Sequence, residues 1–243
     1  MIRAELTKIR TLRSTFWVFL ATFALCVGLG FLIGLSFRNI ADAGADSLFA
    51  SFYAVTLGQI ALVVFGVFVI SSEYSSGTIH ASLAATPRRG RFFLAKLAAT
   101  TPVVLVLSLV TIVSMFFAAR AGLGPRAVPF DARGVAGATV YLTLICLFAT
   151  GVATMLRSAA GSLAILLPLL FLGSQGLGNI PKVKTITQYL PDQTAWVIMH
   201  LTGPPGSAQF ERPYGPWTGL ALTALWTLAA LLGGYAVLRK RDV

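Results

Sequence analysis

Six long stretches of this chain carry no charged side chain, and they constrain its fold more than any other feature of the sequence. A helix needs about 20 apolar residues to cross the hydrocarbon core of a bilayer, and each stretch is at least that long. The sequence therefore predicts six transmembrane helices, at residues 14–37, 47–72, 97–119, 134–156, 158–181 and 213–238. Only Arg157 separates the fourth stretch from the fifth, so Arg157 and Ser158 are interpreted as a tight turn between two helices.

The composition excludes a soluble enzyme. Hydrophobic residues make up 56% of the 243 positions and charged residues 11%, whereas a globular protein carries roughly a quarter charged residues to cover its surface. The net charge of +11 comes from Lys and Arg residues spread between apolar stretches rather than gathered on one face, so we expect no nucleic-acid partner. Cys26 and Cys146 both lie inside apolar stretches, which leaves neither a disulfide framework nor a cysteine-based metal site.

The distribution of basic residues predicts an orientation, because Lys and Arg accumulate on the cytoplasmic side of membrane helices. With the N-terminus inside, twelve of the 19 Lys and Arg residues fall in cytoplasmic segments and seven in outer segments. Six spans place both termini on one side, and both termini are basic. We therefore expect a multi-pass protein of the plasma (inner) membrane, in contact with lipids, with both termini in the cytoplasm.

Two further segments have apolar patterns of their own. Residues 1–13 place Ile2, Leu6, Ile9 and Leu12 at helical spacing, which predicts an amphipathic interfacial helix that leads into the first span. Residues 182–212 are too apolar for an exposed outer loop and too short an apolar run to cross, which predicts a re-entrant or surface-lying helix. Its apolar residues are Ile186, Tyr189, Leu190, Trp196, Val197, Ile198 and Met199. The expected fold is one all-α transmembrane domain over residues 1–243.

The spans contain no machinery that supplies energy or performs catalysis. All eight acidic residues and both histidines fall at span ends or in loops, whereas transport driven by protons or ions usually uses ionisable groups at membrane depth. The chain has no Gly-rich phosphate loop ending in Gly-Lys-Ser or Gly-Lys-Thr. We therefore expect no catalytic or metal site, and any uphill transport needs a separate energy-supplying subunit.

The most informative loop is the predicted inner segment 73–96. Gly77 ends the second span, Ser76 or Thr78 is able to cap a new helix, and Pro87 stops that helix about ten residues later. The short helix has a mildly apolar face that suits docking into a groove of a cytoplasmic partner. That face consists of Thr78, Ile79, Ser82 and Leu83. Spacing alone is equally compatible with a turn that merely joins two spans.

The order of residues in this loop resembles the first coupling loop of short bacterial ATP-binding-cassette (ABC) export permeases, the type-two family with six spans and an N-terminal elbow helix. The matching pattern is Glu73, then Gly77 and Thr78, a short helix, Pro87-Arg88-Arg89 and a later Ala95-Lys96. Residues 5–8 with the following arginines are similar to the elbow, residues 157–158 fall at the second inner turn, and residues 239–243 resemble the basic tail. The proline-rich part before the sixth span follows no pattern of that family.

The resemblance implies a permease that pairs with an identical or related permease and binds two cytoplasmic ABC ATPase subunits. ATP and magnesium would be bound by those partner subunits, and this chain would hold no cofactor. In the coupling loop, Glu73 would anchor the start, and Gly77 and Thr78 would form the turn and cap. The docking face would comprise Ile79, His80 and Leu83, and the return to the membrane Arg88 and Arg89. Ordinary positive-inside anchoring is the alternative role for these two arginines.

Uncharged spans favour export of a cargo with an apolar component, such as an antibiotic, another drug-like molecule or a peptide. Two alternatives remain open: a permease for a lipid-linked glycan or phospholipid, and a membrane immunity or scaffold protein without transport. Polar residues within the spans are candidates for the substrate path, although such groups also hydrogen-bond between helices or to their own backbone. These candidates are Gln59, Ser108, Thr111, Thr143 and Gln175. Gly30 and Gly34 form a Gly-x-x-x-Gly pair that predicts close helix packing.

Overall fold

The computed structural model describes residues 2–11, 13–38, 43–85, 88–174, 184–202 and 211–240, and every regular element in these ranges is a helix. Five helical stretches are long and apolar enough to cross a membrane: Arg13–Phe37, Ser47–Ser75, Arg89–Arg126, Ala132–Leu156 and Pro216–Lys240. The helices are α1 (Ile2–Thr11), α2 (Arg13–Phe37), α3 (Ala43–Phe52), α4 (Val55–Ser75), α5 (Thr78–Ala85), α6 (Arg89–Leu123), α7 (Ala132–Leu156), α8 (Ala159–Ser174), α9 (Lys184–Thr187) and α10 (Pro216–Lys240). The chain is an all-α polytopic membrane protein.

The predicted second span is interrupted by a turn at Tyr53 and Ala54, between α3 and α4. The Thr56 hydroxyl donates to the Tyr53 carbonyl (2.7 Å), and the Gln59 amide donates to the Thr56 carbonyl (3.0 Å). A break in a membrane helix frees backbone groups that find no water in the hydrocarbon, so nearby polar side chains must satisfy them. Thr56 and Gln59 therefore stabilise a break that no proline or glycine marks in the sequence.

Helix α6 is much longer than the predicted span 97–119. Its 35 residues extend about 52 Å, well beyond the roughly 30 Å of a hydrocarbon core. Helix α4 also continues to Ser75 and α6 begins at Arg89, so both ends of the predicted loop 73–96 are helical. The charge-free criterion ends a predicted span at the first charge, but charged residues such as Lys96 continue a helix without difficulty. The predicted span 158–181 corresponds to α8 up to Ser174, and its remainder lies outside the described residues.

Helix α7 is the central element of the bundle, because it packs against α4, α6, α8 and α10 and buries 17 of its 25 residues. Helix α2 packs on α6 through Gly30 and Gly34, in agreement with the Gly-x-x-x-Gly pattern. A Cβ atom at Gly34 would overlap the carbonyl of Ala119, and one at Gly30 would lie 2.9 Å from Met115 Cγ. The small residues therefore set the close approach of these two helices.

The connections gather at two ends of the bundle. One end, here the α1 end, contains α1, the loop with α5, the turn between α7 and α8, and the C-terminus of α10. The opposite end contains α3, residues 124–131 and the segment before α10. There the His200 imidazole contacts the Asp131 carboxylate at 2.9 Å, and Asp131 caps α7 by accepting a hydrogen bond from the Arg133 amide.

The segment 190–201 at the opposite end lies inside the bundle as a series of turns rather than as a regular helix. Trp196, Ile198 and Met199 are buried in the main hydrophobic core, where a Cβ atom at Gly219 would overlap the carbonyl of Thr194. Of the helix predicted within residues 182–212, the described residues show regular helix only in α9, where Ile186 is 77% exposed. Residues 182–183 and 203–210 lie outside the described residues.

Candidate functional site

Four charged side chains from three helices meet at the α1 end, and they are called the ion cluster here. Glu5 and Lys8 come from α1, Glu73 from the last turns of α4 and Lys96 from α6. The Lys96 ammonium lies 2.8 Å from Glu5 Oε2 and 2.9 Å from Glu73 Oε1, and the Lys8 ammonium lies 2.7 Å from Glu73 Oε1. The side chains of Lys96 and Glu73 are only 2% and 5% exposed. Buried charges are tolerated only when they are paired, so the cluster holds α1 against the bundle.

The pKa values of the two α1 residues reflect this pairing. Burial by itself would raise the pKa of the Glu5 carboxyl, but the ammonium groups of Lys96 and Lys8 outweigh burial and hold it below its ordinary value. Burial would lower the pKa of Lys8, but the carboxylates of Glu73 and Glu5 outweigh it and raise the pKa. Both residues therefore remain charged across the neutral pH range.

The short helix α5 follows directly after the ion cluster. Gly77 has φ of +69°, a left-handed conformation that glycine adopts without steric cost. Thr78 then begins α5, and its hydroxyl lies 2.9 Å from the Ser76 hydroxyl. Ile79 is 1% exposed, so its predicted place on a docking face was wrong: it anchors α5 on the bundle. His80 is exposed and takes that outward position.

The two arginines predicted at the end of this loop occupy different environments. Arg88 precedes α6 and is exposed, whereas the Arg89 guanidinium donates to the carbonyl of Leu238 (2.8 Å) at the end of α10. Arg89 thus ties α6 to α10, a specific contact that spacing did not reveal. Pro87 lies outside the described residues, as does the side chain of Leu83.

The second inner turn, Arg157 and Ser158, belongs to the same end. Arg157 adopts a left-handed conformation with φ of 55°. Its guanidinium donates to the Val237 carbonyl (3.3 Å) and stacks 5.5 Å from the ring centre of Tyr74. The Ser158 hydroxyl accepts a hydrogen bond from the Gly161 amide, which caps the start of α8. This turn therefore links α4, α7, α8 and α10 next to the ion cluster.

The predicted path residues that the structure describes lie on three helices, α4, α6 and α7. The Gln59 side chain is buried; it accepts a hydrogen bond from the Tyr141 hydroxyl (2.5 Å) and donates to the Leu170 carbonyl. Thr143 donates back to the Thr139 carbonyl, which is a structural role. Ser108 and Thr111 are buried on α6, and their hydroxyls have no hydrogen-bond partner among the described residues. Gln175 lies outside the described residues.

A second polar cluster is buried at the opposite end, and the sequence did not reveal it. The Gln193 amide donates to Asp192 Oδ2 (2.8 Å) and accepts from the Arg212 guanidinium (2.8 Å). Burial raises the pKa of the Asp192 carboxyl to about 7, although the Gln193 hydrogen bond and the charge of Arg212 act in the opposite direction. Three consecutive polar residues, 192–194, look like an exposed loop; only the apolar run that follows them indicated burial.

These observations define a multi-pass helical membrane protein whose N-terminal helix and connecting loops are joined to the bundle by charged side chains. The sequence profile of the family described as "ABC-2 family transporter protein" matches residues 1–180, a range that includes α1 to α8 and the ion cluster. The chain therefore belongs to the ABC-2 family of transporter proteins and is a permease subunit of an ABC transporter, which implies an ATP-binding-cassette ATPase as its partner. Among curated proteins, none matches the chain significantly.

Proposed function

We propose that this permease exports a compound with an apolar component across the plasma membrane, with its α1 end and both termini in the cytoplasm. In this proposal two permeases, identical or related, pair with two ATPase subunits, which bind the ATP and magnesium. The chain itself contributes the path and the coupling elements and performs no catalysis.

The observation that carries the proposal is the attachment of α5. Its first residue, Thr78, lies five positions after Glu73, and Glu73 is bound by ammonium groups from α1 and α6. Ile79 is buried against the same end of the bundle. A force applied to α5 is therefore delivered at the point where three helices are joined by buried charges.

Coupling requires a rigid element whose position differs between two global states, and the attachment of α5 to the bundle supports α5 in that role. We assign the hinge to Gly77, because its left-handed backbone conformation directs α5 away from α4. The exposed surface of α5 is the surface available to the ATPase, and it includes His80, Ala81 and Ala84. The contacts of Arg89 and Arg157 with α10 connect the last span to the same end of the bundle as the ion cluster.

Cysteine crosslinking tests the docking of α5. Cys26 and Cys146 are both buried, so an introduced exposed cysteine is the reactive thiol. In the assembled transporter, His80→Cys labelled with a reagent that carries one maleimide and one photoreactive group should crosslink to the ATPase, whereas Thr185→Cys, exposed at the opposite end, should not. Equal crosslinking of the two variants, or none at position 80, would contradict the proposed docking.

The direction and class of cargo are tested in inside-out vesicles that contain the permease and its ATPase. We expect ATP-dependent uptake of a lipophilic fluorescent drug and stimulation of ATP hydrolysis by it. Stimulation by a lipid-linked glycan or phospholipid, without stimulation by drugs, would replace the proposed cargo with the lipid class. If no ATPase copurifies with the chain and no transport is measured, the result would instead support a scaffold or immunity protein.

A further inference from the structure

A cavity of about 440 Å³ opens beside the ion cluster, between α1, α2, α4 and α6. This volume falls within the range of small-molecule sites, roughly 300–1,000 Å³. Among the described residues, the charged side chains that line it are the four members of the ion cluster; most of the lining surface is apolar, and the other lining residues are five apolar residues and six serines or threonines. The apolar side chains are Ile9, Val18, Phe65, Phe68 and Val69.

Two hydrogen-bonding groups of the ion cluster, one donor and one acceptor, have no partner among the described residues. Lys96 has three N–H donors, and they are directed at Glu5 Oε2, Glu73 Oε1 and the Val69 carbonyl. Lys8 directs two of its three donors at Glu5 Oε1 and Glu73 Oε1, and its third donor meets no acceptor among the described residues. Glu73 Oε2 is buried and accepts no hydrogen bond from any described residue. One acceptor, on Glu73, and one donor, on Lys8, are therefore available to a ligand.

A second unsatisfied group lines the same cavity. Thr100 is 1% exposed, and its hydroxyl has no partner among the described residues. Leaving a buried polar group unpaired costs about 1–3 kcal/mol. Two such groups converging on one cavity, Glu73 Oε2 and the Thr100 hydroxyl, favour an occupant that carries polar atoms.

The cavity is polar at one end and apolar at the other. Glu73 lies eight residues after Phe65 on α4, a distance of about 12 Å along the helix, and Phe68 and Val69 lie between them. Glu73 also marks the end of the apolar part of α4, which is the depth at which phospholipid headgroups lie. A molecule with its head at Glu73 therefore places its chain against Phe65 and Phe68.

We infer that this cavity is a binding site for a phospholipid with a primary ammonium headgroup, such as a phosphatidylethanolamine. The headgroup ammonium donates to Glu73 Oε2, the phosphate accepts from the remaining N–H of Lys8, and an acyl chain packs on Phe65 and Phe68. A zwitterionic head matches the one free acceptor and one free donor of the ion cluster, whereas an anionic head leaves Glu73 Oε2 unsatisfied. The site depends neither on the direction of transport nor on the docking of α5.

Lipid retention in native mass spectrometry tests this site on the purified full-length chain, without the ATPase. The chain is reconstituted in an equimolar mixture of phosphatidylethanolamine, phosphatidylcholine and phosphatidylglycerol of identical acyl chains. Phosphatidylcholine has the same charges but no headgroup N–H. We expect phosphatidylethanolamine to be retained at least roughly tenfold over phosphatidylcholine, the size of one charge-assisted hydrogen bond.

Two variants locate the retained lipid. Glu73→Gln removes the carboxylate and should abolish the preference for phosphatidylethanolamine. Val69→Phe fills the cavity, leaves the four charges in place and should reduce retention even if Glu73→Gln folds poorly. Val110→Phe, on the half-exposed surface of α6, is the matched control and should retain the lipid.

Three outcomes would overturn the inference. They are equal retention of phosphatidylethanolamine and phosphatidylcholine, selective retention of phosphatidylglycerol, and unchanged retention in Val69→Phe. Failure of α5 to crosslink to the ATPase would leave this result unaffected, so the two proposals fail separately.

Discussion

The ammonium of Lys96 lies 2.9 Å from Glu73 Oε1, and both side chains are almost completely buried at one end of the helical bundle. The pair joins α6 to the last turns of α4, four residues before Gly77, the left-handed residue that leads into α5. Glu5 and Lys8 complete the same cluster from α1. Under the proposed function, the ion cluster lies at the place where the ATPase subunit would deliver energy.

Removing either Glu73 or Lys96 alone should lower the stability of the protein more than removing both charges together. Lys96→Met leaves two buried carboxylates with Lys8 alone, and we expect a loss of about 3 kcal/mol in stability, the scale for breaking a buried pair. The double variant Glu73→Gln with Lys96→Met should recover part of this loss. Thermal unfolding in detergent measures both. Lys240→Met, at the exposed end of α10, is the control, and a loss as large there would contradict the assignment.

Acid should release α1 from the bundle. The pKa of Glu5 is held below its ordinary value of 4.5, so its contribution to stability is present above that value and is lost as the pH falls through the lowered pKa. The protection of the amides of residues 2–11 against hydrogen exchange, relative to their intrinsic rates at each pH, should therefore fall as the pH drops below 4.5. In Glu5→Gln the exchange should be fast already at neutral pH and show less acid dependence. Identical pH profiles in the two proteins would refute this role of Glu5.

The segment 190–201 should become less firmly packed as the pH rises. Burial raises the pKa of the Asp192 carboxyl from its ordinary value of 3.8 to about 7, so the neutral carboxyl favours the packed segment. This stability is fully present below about pH 4 and is lost as the pH rises through about 7. Protection factors in the segment, which correct for the intrinsic pH dependence of hydrogen exchange, should be higher at pH 5 than at pH 8, and Asp192→Asn should remove the difference. A pH dependence that persists in Asp192→Asn would point to another group.

The contact between α2 and α6 should depend on the absence of a side chain at Gly34. A Cβ atom there would overlap the Ala119 carbonyl, whereas a Cβ atom at Gly28 would meet nothing within 4 Å. Gly34→Ala should destabilise the bundle by about 1–3 kcal/mol through overpacking, and Gly28→Ala should be neutral. Thermal unfolding of the two variants makes the comparison, and equal midpoints would show that α2 does not pack as described.

The spans were predictable because a bilayer imposes a length and a lack of charge on any crossing helix, and the sequence displays both. The break at Tyr53 and Ala54 was not predictable, because neither residue disfavours a helix. Thr56 and Gln59, which stabilise the break, resemble ordinary polar residues in a span. The true length of α6 was also hidden, since the charge that ended the predicted span, Lys96, is neutralised by partners far away in the sequence.

The candidate site was also predictable only in part. The residues of the loop after α4 were identified from their order, and Gly77 occupies a turn that requires a left-handed conformation. Which face of α5 points outward was not predictable, because Ile79 suits a partner's groove and the interior of the bundle equally well. The burial of Asp192 and Arg212 depends on how a loop folds back between helices, and no local pattern records that.

The ratio of cargo transported to ATP hydrolysed tests the central claim most directly, because the account assigns energy transfer to α5 and its hinge at Gly77. Gly77→Val forces a β-branched residue into a left-handed conformation, at a strain of about 1–3 kcal/mol, whereas asparagine tolerates this region. In reconstituted vesicles with the ATPase, Gly77→Val should continue to hydrolyse ATP with a strongly reduced transport ratio. Gly77→Asn should stay near the wild-type ratio, as should Gly215→Val, where a Cβ atom meets open space. A wild-type transport ratio in Gly77→Val would contradict the account.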